Sequence, residues 1–145
     1  MPVIAKIQVP QLLADAGLEL RTKPDFNPYR KAIPRFRELA TDEKNSLIKK
    51  DPKYGHIVCR CENATEGEIV EAIKRAGRTL QDIKFMTRAG FGRCQGGFCG
   101  PHVIQILARE LDIPITQVVK RGTDSPIILY QSKGLHRNEL LPSIT

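Results

Sequence analysis

Four cysteines, all within residues 59–99 of a 145-residue chain, constrain this protein more than any other feature. They fall as Cys59-x-Cys61, then 32 residues, then Cys94-x4-Cys99, and no cysteine lies outside the pattern. Thiolates are the preferred ligands of zinc and of iron–sulfur clusters, because soft sulfur matches those metals. Four of them complete one tetrahedral zinc or hold the two irons of a [2Fe-2S] cluster. Disulfides require an oxidising compartment. The first residues, Met1-Pro-Val-Ile-Ala-Lys-Ile-Gln-Val9, lack the basic flank, apolar block and cleavage site of a signal peptide. No run approaches the ~18 apolar residues of a membrane span. The expectation is a soluble, cytoplasmic protein without direct membrane insertion, whose thiols serve a metal.

The spacing favours the cluster over zinc. Structural zinc pairs usually leave about two to four residues between ligands, and Cys59-x-Cys61 leaves one. The second pair lies in a glycine-rich loop. Gly90, Gly92, Gly96, Gly97 and Gly100 are five of the eleven glycines. Such a loop lets backbone approach an inorganic core closely and point amides at sulfur. Arg60, Arg88 and Arg93 flank the ligands, and Pro101 opens a helix whose N-terminal dipole favours an anion near Cys99. A four-thiolate zinc site explains the cysteines but not this loop. Copper handling uses one pair and leaves the other unexplained. Each arginine also reads as an ordinary surface cation. His56 and His102 lie near the cysteines, but four thiols already suffice, so both are expected outside the ligand set.

The formal net charge of +7 invites a nucleic-acid reading, but the charge is spread out. Residues 1–55 hold 11 basic and 7 acidic side chains, residues 56–110 hold 8 and 6, and residues 111–145 hold 4 and 3. No long basic run or alternation of basic and aromatic residues appears, so no nucleic-acid partner is expected. An oxidised four-thiolate [2Fe-2S] core of about −2 offsets part of the excess.

Around the cysteines the pattern is helical. Thr65-Glu-Gly-Glu68 fits a capping box. Ile69, Ala72, Ile73 and Ala76 then share one face of a helix ending at Gly77. Thr79–Asp82 is a second cap. Ile104, Leu107, Ala108 and Leu111 line the helix after Pro101, and a short helix is expected over 115–120. Upstream, Val3–Val9 alternates like an extended piece, Pro10 opens a brief helix closed by Gly17, and residues 21–34 read as a proline-rich connector. Thr41 is expected to cap a helix through Lys50. Residues 126–130 suggest a strand in need of a partner.

Ile57-Val-Cys-Arg-Cys-Glu62, the Thr65–Glu68 helix start and Thr87–Cys99 resemble the bacterioferritin-associated-ferredoxin-like (BFD-like) [2Fe-2S] domain. The four-residue gap before Cys99 is similar to the version at the C-terminal end of anaerobic-type, FAD-dependent glycerol-3-phosphate dehydrogenases. Leu12–Leu20, Lys23–Arg30 and Leu47–Gly55 resemble the segment joining flavin and cluster domains there. No Gly-x-Gly-x-x-Gly occurs, and 145 residues cannot hold a flavin fold.

The resemblance implies a mainly α fold: a small helical [2Fe-2S] domain with ligating loops at helix N-termini, flanked by extended arms. Residues 1–55 are expected as a linker-like arm with short helices, 56–122 as the cluster domain and 123–145 as a tail. The expected function is an electron-transfer subunit of a heteromeric FAD-dependent dehydrogenase, glycerol-3-phosphate dehydrogenase-like. The FAD sits on a partner chain, alongside any further electron-transfer subunits. Cys59, Cys61, Cys94 and Cys99 are the expected ligands. Arg60, Arg88, Gly90, Gly92, Arg93, Gly96, Gly97 and Gly100 surround them, and no catalytic residue is expected. A free-standing ferredoxin-like or redox-sensing protein and a zinc-stabilised helical module are the alternatives.

Overall fold

The computed structural model describes residues 2–18, 23–27 and 29–130. Residues 1–31 and 32–145 form two separate compact units.

In the first unit, helix α1 spans Pro2–Asp15. The alternation over 3–9 is therefore helical rather than extended. An isolated strand leaves its backbone groups without a ladder, whereas a helix satisfies its own. Pro10 lies inside the helix and removes one of those bonds rather than starting it. Gly17 closes α1 as expected. At φ +74° it allows Gly17 N–H to reach Ala14 O at 2.9 Å and Leu18 N–H to reach Leu13 O at 2.8 Å, a Schellman ending. Parts of the linker-like stretch, including Leu20 and Pro28, lie outside the described residues, as does the tail from residue 131, including His136.

The second unit holds the cysteines. A 3-10 turn at Phe36–Glu38 leads to helix α2, Thr41–Lys50, and a second 3-10 turn at Pro52–Gly55. The cap of α2 is Ala40 rather than Thr41, because Glu43 bends back to accept the Ala40 N–H at 2.9 Å. Strand β1, Ile57–Cys59, pairs antiparallel with β2, Ala64–Thr65. Helices α3 (Glu66–Lys74), α4 (Leu80–Thr87) and α5 (Gly100–Leu111) complete the fold. It is mainly α, as expected.

These three helices pack together around Ile69, Ile73, Ile83 and Leu107, all buried. Both capping boxes form. Thr65 Oγ1 accepts from Glu68 N–H at 3.3 Å while the Glu68 carboxylate accepts Thr65 N–H at 2.7 Å. Thr79 and Asp82 do the same for α4. The end of α3 differs from expectation. The helix stops at Lys74, and Ala76 is exposed at φ +79° instead of continuing the apolar face. Gly77 is there for space: a Cβ would lie 2.9 Å from Ala72 O and 3.0 Å from Ile83 Cδ1.

Residues 36–55, expected within an arm, pack onto the cysteine-bearing part. Phe36 N–H donates to Glu68 Oε1 at 3.2 Å, and the Tyr54 ring lies flat on Gly67. Glu68 and Tyr54 are buried, so the N-terminus of α3 is completed by this segment. Downstream, the expected helix over 115–120 reduces to a 3-10 turn at Ile115–Gln117. Val119 and Lys120 carbonyls instead accept the free N–H groups of Leu80 and Gln81 at 3.1 and 2.9 Å. The expected strand over 126–130 reduces to one bridge, Val119 with Pro126.

Candidate metal centre

The two ligand segments reach the site by different routes. β1 delivers Cys59 into the core, and the turn after it turns Cys61 outward. Cys94 sits in the loop after α4, and Cys99 caps α5. Only Cys99 therefore stands at a helix N-terminus. Cys59 and Cys61 lie on the β1–β2 hairpin that leads directly into the N-terminus of α3.

All four thiols line one recess of about 220 Å³, together with Arg60 and Phe98. Cys59 and Cys99 are buried, whereas Cys61 and Cys94 are exposed. Neighbours in space are not neighbours in sequence. Of the other thiols Cys59 acts most strongly on Cys99, and Cys61 acts on Cys94. Among the described residues, no three His, Cys, Asp or Glu side chains converge on a single-ion position.

The electrostatics differ between the pairs. Burial, followed by the neighbouring charge of Cys59, pushes the Cys99 thiol up to about 11. Backbone N–H groups of Phe98 and then Gly96 donate to Cys94 and hold its thiol below the ordinary value. A bound metal reverses this preference for the proton, since thiolates are the ligating form.

The loop glycines have distinct reasons. A Cβ on Gly92 would fall 2.1 Å from Cys61 Cβ and 3.0 Å from its Sγ, so this position must be bare for the two ligand segments to meet. Gly90 and Gly96 adopt φ of +89° and +86° and face each other. A Cβ on Gly97 would crowd Cys94 O at 3.2 Å, while one on Gly100 would meet nothing within 4 Å.

The arginines also divide. Arg60 lines the recess and lies over the Phe98 ring at 5.5 Å. Arg88 turns to Glu62 Oε2 at 3.2 Å and to the Phe91 ring at 5.2 Å, so its charge is partly offset. Arg93 is exposed. His102 packs against Phe98, and His56 Nδ1 meets Glu66 Oε2 at 2.6 Å. Neither histidine lines the recess. Sequence reasoning missed Phe98 and Glu62; their only sequence signal is adjacency to Cys99 and Cys61.

The donor set fits an iron–sulfur group: four thiols, amides directed at sulfur, and a close backbone approach secured by Gly92. The arrangement defines a small helical module with a recess of four thiols suited to a metal–sulfur group. A family model for the BFD-like [2Fe-2S] binding domain matches residues 57–109, and the chain carries that domain. The chain is 50% identical over 130 residues to a glycerol 3-phosphate dehydrogenase of Caloramator mitchellensis, covering 88% of this chain and 27% of that protein. It is 36% identical over 104 residues to an anaerobic glycerol-3-phosphate dehydrogenase subunit of Haloferax volcanii, covering 72% and 16%. Identity to an opine oxidase subunit of Rhizobium meliloti is 35% over 134 residues, covering 86% and 25%. The chain thus spans about a quarter or less of the length of these relatives. No solved structure matches.

Proposed function

We propose that this chain is the electron-transfer part of a flavin-dependent dehydrogenase acting on glycerol 3-phosphate. It takes electrons from a flavin on a partner chain and passes them to an acceptor. The observation that carries this reading is the uneven burial of the ligand recess. Cys59 and Cys99 anchor it in the core, while Cys61 and Cys94 reach the surface. A purely structural metal gains from being closed in on all sides, whereas electron exchange needs one edge near a partner. The relatives named as glycerol-3-phosphate dehydrogenases supply the substrate class.

Cys59, Cys61, Cys94 and Cys99 hold the [2Fe-2S] group, which supplies one-electron chemistry when bound. The other residues position it. Phe98 and Gly96 amides stabilise the Cys94 thiolate, and Gly92 lets Cys61 approach the second ligand loop. The buried Cys59–Cys99 pair excludes water from the inner side. Gly90, Gly97, Gly100, Arg60, Arg88 and Arg93 shape and charge the surroundings. Among the described residues no helix is long and apolar enough to cross a membrane. We place the protein in the cytoplasm, where thiols stay reduced until metal binds.

The test is anaerobic purification with iron, acid-labile sulfide and zinc analysis, followed by co-expression with an FAD-binding dehydrogenase chain. Two irons and two sulfides per chain, and a stoichiometric complex that reduces a dye with glycerol 3-phosphate, are expected. One zinc without sulfide would overturn the reading.

A further inference from the structure

Exposed aromatic rings stand in the lining of the recess, at Phe98, and on α4, at Phe85. Phe98 is 57% exposed and Phe85 65%. Two separate runs of side-chain contacts start from the residues on either side of Cys61, one reaching each ring. Phe85 packs on Phe91 at 5.8 Å, and Phe91 lies under Arg88. Arg88 binds Glu62, which follows Cys61 in sequence. Arg60 precedes Cys61 and covers Phe98, which in turn meets His102 at 6.2 Å.

Charge on this rim is one-sided. Arg60, Lys84 and Arg88, with the exposed Arg93 next to Cys94 in sequence, stand against Glu62, the one carboxylate among the described residues that these contacts join, which also accepts from a fifth cation, Arg37, at 2.9 Å. With Arg37 counted, five cations against one carboxylate leave these groups positive both for an oxidised cluster of about −2 and for the reduced cluster of about −3 that gives up the electron. Both aromatic clusters carry a cation over a ring face: Arg60 on Phe98, and Lys84 on Phe91 at 4.8 Å. A nucleic acid needs those faces free for stacking. A second copy of this chain would bring the same positive rim and be repelled.

We infer that this rim is the docking face for a one-electron redox protein whose contacting surface is acidic around an apolar patch. The cations steer the encounter, and the exposed Phe98, in the lining of the recess, supplies apolar area next to the point of electron exit. The inference rests on the proposed electron-transfer role and deepens it by fixing the partner's chemistry.

The experiment uses small oxidants of opposite charge. The purified cluster-loaded protein is reduced with dithionite, freed of excess reductant, and mixed with ferricyanide or hexaamminecobalt(III) across a salt series. One electron leaves each protein; ferricyanide becomes ferrocyanide, or cobalt(III) becomes cobalt(II). No bond to the protein forms or breaks, and the protein neither gains nor loses a proton. The ferricyanide rate should fall with salt, and the hexaamminecobalt rate should rise. In the double variant Arg60→Gln/Arg93→Gln the low-salt ferricyanide rate should drop about tenfold and its salt dependence flatten. Lys49→Gln/Lys50→Gln removes the same net charge outside the rim and should change the rate less than about twofold.

Equal effects of the two double variants, or rates independent of salt in a loaded protein, would overturn the docking face alone. Salt-sensitive binding of a DNA duplex that disappears with Arg60→Gln/Arg93→Gln would also overturn it. A preparation holding zinc and no sulfide would overturn the electron-transfer role, and the docking face with it.

Discussion

Replacing Gly92 by alanine tests how the two ligand segments meet. The added Cβ would sit 2.1 Å from Cys61 Cβ. Carbon atoms in contact need roughly 3.5 Å, so the segments must separate by about 1.4 Å. Metal–ligand distances tolerate about 0.2 Å. The strain is therefore several times larger than the site can absorb with Cys61 and Cys94 both bound. Neither side yields easily. Cys61 follows a buried strand, and Gly92 O accepts Gln95 N–H at 2.9 Å in the ligand loop. Overpacking of this kind costs about 1–3 kcal/mol, which at a ligand position appears as lost cluster rather than lost fold.

Gly100→Ala is the control, with the same added methyl at the first residue of α5. Its Cβ would meet nothing within 4 Å, and the position opens α5. The assay is anaerobic reconstitution followed by visible absorption and iron per chain, with far-ultraviolet circular dichroism for the fold. Gly92→Ala should keep its helix signal and lose most of its iron, and Gly100→Ala should retain both. Equal iron in the two variants would refute the steric argument.

Three further outcomes follow from the packing. Gly67→Ala would place a Cβ 2.6 Å from the Tyr54 ring and should cost about 1–3 kcal/mol in denaturant unfolding, since ring and helix must part. Leu107→Ala, at a fully buried position shared by α3, α4 and α5, should cost about 2–5 kcal/mol and lower the unfolding midpoint without changing the ligand set. Glu66 opposes its own burial by bonding His56 and Arg109, and these partners hold its carboxyl below the usual 4.5. A carboxyl depressed in the fold stabilises it above the unfolded value and loses that contribution as pH falls through the folded value. Glu66→Gln should therefore destabilise the protein by about 1–2 kcal/mol at pH 7, with the gap closing below pH 4.5; a gap independent of pH would contradict this role.

The chemistry of this protein is written in its sequence because soft-metal ligation depends on residue type and number. Four cysteines with a glycine-rich loop leave few alternatives, and the capping boxes at Thr65 and Thr79 form because their partners lie three residues away. What lay beyond the sequence is everything that depends on long-range placement. All four thiols meet in one recess, with Cys59 and Cys99 buried in the core and Cys61 and Cys94 exposed. Residues 36–55 read as part of a linker-like arm with short helices, since their tertiary bonds go to groups such as Glu68, 32 positions from Phe36. Arg88 flanks the ligands in sequence, and only the fold shows that Glu62, 26 positions away, accepts from it. Gly92 and Gly100 look alike in the chain, and only the approach of Cys61 makes one of them indispensable. Local chemistry specified what the site binds; tertiary packing decided which thiols are sealed in the core and which edge is open to a partner.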